Sequence, residues 1–220
     1  MYARAMSTGA PTSMRADARR NLEQLLAAAR DLIASRGSGV ALEEVAQRAG
    51  VGIGTLYRRF PDRRALLRAV VLDALERTRA AAERARAEHE DPFEALAAYL
   101  RSAFELQVSA VIPEVLDALD LDEPELAAAR EASAREVDLL VERARDSGGL
   151  PPDVTFADVG MMLVRIARPL PGPMSESLKR DLGRRHLELF IRGLRSRDGT
   201  LDGPALSLSD LEDLSHPSTP

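Results

Sequence analysis

The chain has 220 residues, 45% of them hydrophobic and only 4% aromatic, with 30 basic against 35 acidic side chains and a net charge of −5. Cysteine is absent, which excludes a disulfide framework, a thiolate nucleophile and a sulfur-ligated metal. No apolar run reaches bilayer length and residues 1–14 lack the apolar centre of a signal peptide, so no membrane partner and a cytoplasmic location are expected.

Residues 1–14 show no apolar period and read as a disordered arm. A first helix is predicted over residues 16–35, with Leu22, Leu25, Leu26, Ala29, Leu32 and Ile33 on one stripe and Gly37 and Gly39 as its stop. Arg15, Arg19 and Arg20 at its start either touch phosphates or form a solvated face. A short second helix follows, burying Leu42, Val45 and Ala46. Gly50 ends it and Val51 anchors the turn. The third helix is expected to bury Ile53, Leu56 and Tyr57, leaving Gly52, Gly54, Thr55 and Arg58 outward.

Two short helices around a glycine turn are the pattern of a helix-turn-helix DNA reader. Its outward face must be small, polar or cationic, because bulk holds the backbone off the base edges and acid repels phosphate. No acidic residue lies between Gly50 and Pro61. Charge distribution points the same way: up to Arg68 there are 12 arginines against 6 acids, while the remainder holds 18 basic and 29 acidic residues. Basic charge is therefore gathered on the segment with the motif, as one nucleic-acid surface requires.

From Asp62, a plausible N-cap, a long helix is predicted to about His89, burying Leu66, Leu67, Val70, Val71, Ala74 and Leu75. Beyond Leu75 its charged pattern suits a solvated connector between domains. Asp91 and Pro92 open another helix with Phe93, Leu96, Ala97, Leu100, Ala103 and Phe104 inward. Pro113 and Pro124 bound a short segment over residues 112–121, and a further helix covers 125–145 before the break at 147–152. The last two helices present Phe156, Val159, Gly160, Leu163, Val164 and Ala167, then Leu187, Phe190, Ile191 and Leu194. The loop over residues 168–173 is too proline-rich to be helical throughout. Residues 197–220 read as a disordered tail.

Catalytic constellations are missing from the pattern. His89, His186 and His216 fall in unrelated segments, none with a second His, Asp or Glu at metal-ligand or dyad spacing. No strand precedes a glycine-rich phosphate loop, since Gly50, Gly52 and Gly54 belong to the helical turn. The expectation is not an enzyme, with no cofactor and no metal.

The run from Ala49 to Leu67, with its Ala-Gly-Val turn, Gly54-Thr-Leu-Tyr57, the aromatic Phe60 and the basic Arg63 opening a long helix, resembles the signature of the TetR family of transcriptional regulators. Ala41 departs from the family pattern, which has a capping Thr or Ser there. The resemblance implies an all-α fold of about nine helices: a three-helix DNA-binding unit over residues 15–61 and a helical ligand-binding and dimerisation bundle over 62–196. It implies a homodimeric repressor of a double-stranded DNA operator, released by a small, largely apolar effector. DNA-contacting residues would be Gly52, Gly54, Thr55, Tyr57, Arg58 and Arg63, with Tyr57 and Arg63 as phosphate anchors. Candidate ligand-lining residues are Tyr99, Phe104, Val111, Leu116, Met161, Met162 and Arg165; their apolar members also read as ordinary core, and Arg165 as half of an ion pair. The dimer interface, four helices from two subunits, would use Phe156, Leu163, Leu187, Phe190, Ile191 and Leu194. Two other classes fit the residues less well: a helical protein-interaction scaffold with a basic N-terminal module, and a small helical enzyme.

Overall fold

Alanine, leucine, arginine and glutamate favour helix, and the computed structural model is helical throughout its regular elements. It describes residues 10–115, 118–120, 122–168, 170, 172–195, 201–203, 205 and 206. Among them are nine helices: α1 (Ala10–Arg36), α2 (Leu42–Ala49), α3 (Ile53–Arg59), α4 (Arg63–Glu88), α5 (Pro92–Glu105), α6 (Val108–Val115), α7 (Pro124–Asp146), α8 (Phe156–Ala167) and α9 (Glu176–Leu194). The helical start at Ala10 takes residues 10–14 out of the expected disordered arm. Residues 1–9 and most of the expected tail lie outside the described residues. Within the tail, the Leu201 N–H donates to Asp153 Oδ2 at 2.6 Å.

Helix ends follow side-chain chemistry. Asp62 caps α4 by accepting from the Ala65 N–H at 2.8 Å, Asp91 caps α5 from Glu94 at 2.9 Å, and Ser175 caps α9 from Leu178 at 3.3 Å. Thr155 and Asp158 form a reciprocal capping box at α8. The start of α2 has no such bond, since Ala41 supplies no oxygen. Gly50 closes α2 in the left-handed region at φ 65°, which lets the Val51 N–H reach the Ala46 carbonyl at 3.0 Å.

Two hydrophobic cores result. The first gathers Leu25, Leu32 and Ile33 of α1, Val45 of α2, Leu56 of α3 and Val70 and Val71 of α4, and it also takes Val111 and Val115 of α6 and Leu126 of α7. The second joins the end of α4 to α5, α7, α8 and α9 through Ala82, Leu96, Leu100, Leu140, Val141, Leu163 and Leu187. Thus α6 belongs to the core of the helix-turn-helix although it lies far along the chain.

Two predicted elements differ in character. The end of α4 is not a solvated connector: Thr78, Ala81, Ala82 and Ala85 are buried, and α4 packs along α5 and α7. Alanine at these positions lets a facing helix approach closely while the arginines and glutamates between them remain in solvent. Pro113 lies inside α6, where a proline forgoes one backbone bond in a short helix. The break falls earlier, at Gln107, whose φ of 55° turns the chain between α5 and α6. At the far side, a β-carbon on Gly183 would meet Phe104 Cζ at 2.7 Å, so glycine there sets how closely α9 lies on α5.

Candidate nucleic-acid interface

Leu56 is the pivot of α3. It is wholly buried, which secures about 1.5–3 kcal/mol of hydrophobic stabilisation. Phe60, just beyond the helix, supplies the second anchor at 5% exposure, and its N–H donates to the Leu56 carbonyl at 2.8 Å. Ile53 and Tyr57 were expected beside Leu56 in the buried stripe. They are instead 41% and 44% exposed, because a seven-residue helix rests on the domain through one position only.

The exposed face therefore carries Gly52, Ile53, Gly54, Tyr57, Arg58 and Arg59. A β-carbon at Gly52 or Gly54 would meet nothing within 4 Å, so glycine there keeps the face low rather than relieving a clash. Thr55 is half-buried, and its Oγ1 accepts from Arg58 Nη2 at 3.0 Å. The threonine thereby aims the guanidinium. Arg63, exposed at the first position of α4, sits beside the Gly39 loop, 3.8 Å from where a β-carbon on that glycine would lie.

Ion pairing separates the arginines. Arg19 pairs with Glu23 at 3.1 Å, and Arg20 pairs with Asp17. Arg36 meets Glu44 at 3.3 Å and Arg48 meets Asp31 at 3.1 Å. Arg68 is clamped by Glu123 and Glu125 at the start of α7, which holds its guanidinium above its ordinary value. Arg58, Arg59 and Arg63 have no carboxylate partner among the described residues. Within the helix-turn-helix unit, the arginines without an ion pair among the described residues thus lie on α3 and the start of α4, beside the glycine face.

One polar contact in this surface was not anticipated. The Tyr57 hydroxyl donates to Glu43 Oε1 at 2.8 Å. The Glu43 carboxyl is held below its usual range chiefly by its own backbone N–H and secondarily by Tyr57, and the same hydrogen bond raises the phenol. Glu43 stands in the first turn of α2, on a different helix from Tyr57, so helical spacing gives no sign of the pairing.

The residues expected to line a ligand site do not come together. Tyr99 is buried in the second core and its burial raises the phenol, while its hydroxyl makes no hydrogen bond among the described residues. Phe104 packs against that core under Gly183. Val111 sits in the first core instead. Leu116 lies outside the described residues. Met161, Met162 and Arg165 are exposed on the outer side of α8, facing away from the bundle interior, because α8 turns Val159 and Leu163 inward.

The expected dimer stripe is likewise reassigned by burial. Leu163, Leu187, Ile191 and Leu194 are buried in the subunit's own core at 2–7% exposure, and Phe156 and Phe190 pack at its edge. What α8 and α9 leave outward is a different set: Met161, Met162, Leu178 and Leu189, all 39–57% exposed. Met162, Ile166, Leu170, Leu189 and Phe190 line an open cleft between the two helices. Both helical phases are apolar in sequence, and burial gives Leu163, Leu187, Ile191 and Leu194 to the subunit's own core.

His89 Nδ1 lies 3.1 Å from the Ala85 carbonyl oxygen and His186 is exposed on α9. Among the described residues no group of three or more His, Cys, Asp or Glu is arranged to hold a metal, and no helix is long and apolar enough to cross a membrane.

This arrangement, a low cationic helix on a small helical unit joined to a larger bundle, defines a helix-turn-helix DNA-binding protein. Residues 25–70 match the family model for bacterial regulatory proteins of the tetR family, and residues 91–196 match that for an SbtR-like transcriptional regulator C-terminal domain. A TetR transcription regulatory protein from Mycobacterium vanbaalenii is 31% identical, covering 83% of this chain and 99% of that one with a TM-score of 0.58. A TetR transcriptional regulator from Streptomyces coelicolor is 29% identical over 80% of this chain and 99% of its own, again at 0.58. The TetR-like regulator LfrR from Mycobacterium smegmatis, solved in complex with proflavine, is 25% identical over 83% and 99%, with a TM-score of 0.56. No curated protein matches the chain. The chain belongs to the TetR family and is a DNA-binding transcriptional regulator.

Proposed function

We propose that the protein is a cytoplasmic homodimeric repressor that reads its operator through Gly52, Gly54, Thr55 and Arg58, holds the DNA backbone through Tyr57 and Arg63, and is released by a small, largely apolar effector. It acts by binding, not by catalysis. The observation that carries this reading is the exposed face of α3, which has no acidic residue of its own, with Arg58, Arg59 and Arg63 making no ion pair among the described residues beside two open glycines. The glycines let backbone and Thr55 approach base edges, while cations at the last turn of α3 and the start of α4 meet phosphates. One seven-residue helix spans only a few base pairs, so useful specificity needs two readers, which a dimer supplies. The outward apolar set of α8 and α9 is the surface on which that dimer would form. For the effector, the bundle around Tyr99 and Phe104 is the favoured site: Tyr99 packs in the second core and its hydroxyl donates to no protein group among the described residues, which leaves a donor for a mainly apolar ligand with one acceptor. The similar regulator LfrR is solved in complex with a small molecule, proflavine, which supports an effector of small-molecule size.

The test is fluorescence anisotropy with the duplex upstream of the protein's own gene against a mixed-sequence duplex. Thr55→Ala and Arg58→Ala should each reduce the preference for the upstream duplex, by about 1–3 kcal/mol where a bidentate base contact is lost. Because Thr55 Oγ1 holds the Arg58 guanidinium, the double variant should lose less than the two single losses together. An unchanged specificity ratio in Arg58→Ala would remove base reading from this helix.

A further inference from the structure

We propose that Glu43 is a built-in competitor for the DNA backbone: its carboxylate occupies the Tyr57 hydroxyl in the free protein, a phosphate must displace it, and the residue thereby sets operator affinity downward. The proposal rests on the reading of Tyr57 as a phosphate anchor. A phenol has one proton to donate, and here it goes to Glu43 Oε1 at 2.8 Å. A phosphate oxygen accepting the same proton has to take the position the carboxylate holds. The two anions cannot share it, since like charges in contact repel. Tyr57 is 44% exposed, so its hydroxyl is open to an incoming strand without rearrangement of the core. Glu43 stands in the first turn of α2, an end that Ala41 leaves without a side-chain cap and where the unpaired backbone N–H groups favour a carboxylate. Its neighbour Glu44 serves as an internal control, because Arg36 holds that carboxylate at 3.3 Å, away from Tyr57.

Competition predicts a thermodynamic coupling that neither simple repulsion nor simple positioning produces. Phosphate anchoring is independent of sequence, so a fluorescein-labelled mixed-sequence duplex at low ionic strength is a sufficient probe. Glu43→Gln should tighten Kd about fivefold, the scale of one contact between like charges near water. Tyr57→Phe should weaken it, and in the Tyr57→Phe background Glu43→Gln should give a clearly smaller gain. Glu44→Gln should give the same small gain in both backgrounds. If Glu43→Gln weakens binding, the carboxylate positions Tyr57 for DNA and the proposal is overturned. Equal gains from Glu43→Gln in the two backgrounds would overturn it as well, leaving only general repulsion. Weaker binding by Tyr57→Phe with no change in Glu43→Gln sinks the competition while keeping Tyr57 as an anchor. An unchanged Kd in Tyr57→Phe removes both. Circular-dichroism melts of each variant, expected to superimpose on the parent, confirm that folded protein is compared.

Discussion

Arg30 and Asp73 join α1 to α4 near the base of the DNA-reading unit, and their environment predicts an asymmetry between two single substitutions. The Arg30 side chain is 11% exposed and the Asp73 side chain 20%, and Asp73 also accepts from Arg77 Nε at 2.8 Å. Burial, the largest influence on Arg30, holds its guanidinium below the ordinary value, with Asp73 as the main counterweight. Asp73→Ala removes the main counter-charge of that buried cation and leaves it facing the like charge of Arg77 with only Asp31 still favouring it, a loss near the lower end of about 3–5 kcal/mol. Arg30→Met behaves differently: the methionine fills the space of the arginine stem, and Asp73 keeps Arg77. Its cost should be only about 1–2 kcal/mol, and the double variant should recover part of the Asp73→Ala loss. Urea unfolding followed by far-ultraviolet circular dichroism, at one fixed protomer concentration, reads the difference as a midpoint shift of roughly 1–2 M for Asp73→Ala. Should Asp73→Ala cost no more than Arg30→Met, the desolvated cation is not what makes this contact matter.

Three further outcomes bear on the proposed DNA and dimer surfaces. Arg63→Ala should weaken binding equally for the upstream and mixed-sequence duplexes and reduce the slope of log Kd against log salt by about one, so an unchanged slope places Arg63 outside the interface. Met161→Glu with Leu189→Glu should give a folded monomer in sedimentation velocity, because both residues project from the subunit; a stable dimer would locate the interface elsewhere. Ile191→Glu is expected instead to unfold the protomer, since that side chain is 4% exposed inside the second core.

The sequence revealed the helices better than it revealed their partners. Caps and breakers act locally, so Asp62, Asp91 and the glycine at 50 were legible from residue type alone, and the structure has each in its expected place. The buried half of α4 is hard to see in the sequence because its stripe of Thr78, Ala81, Ala82 and Ala85 is made of small residues scattered among arginines and glutamates. Its spacing is helical, but a stripe defined by large aliphatic side chains passes over it. In α8 and α9 the difficulty is reversed. Leu187 and Leu189, like Leu163 and Met162, are apolar neighbours on opposite sides, and only the helices packed against them, α5 for α9 and α5, α6 and α7 for α8, decide which goes inside. The position of α5 against α9 depends in turn on Gly183 yielding space to Phe104, a contact 79 residues apart in sequence.

At the candidate nucleic-acid surface the exposure of Tyr57 and its contact with Glu43 have a common cause. A long amphipathic helix averages over several turns, so its inward face follows from its pattern; α3 has seven residues and a single buried position, Leu56, with Phe60 beyond its end completing the anchorage. Ile53 opens the helix and lies outside the contact, and Tyr57, four residues on, shares its side. Had Tyr57 been buried as the apolar pattern suggested, its hydroxyl would have been spent on a core partner. Exposed, it reaches Glu43, 14 residues back on α2. Resemblance to the TetR signature carries over a role for the tyrosine, but the carboxylate that holds it in this chain is a tertiary neighbour. Whether α3 meets a phosphate with a free donor or with one already engaged is therefore decided by the packing of α2 against α3, which places Glu43 beside Tyr57.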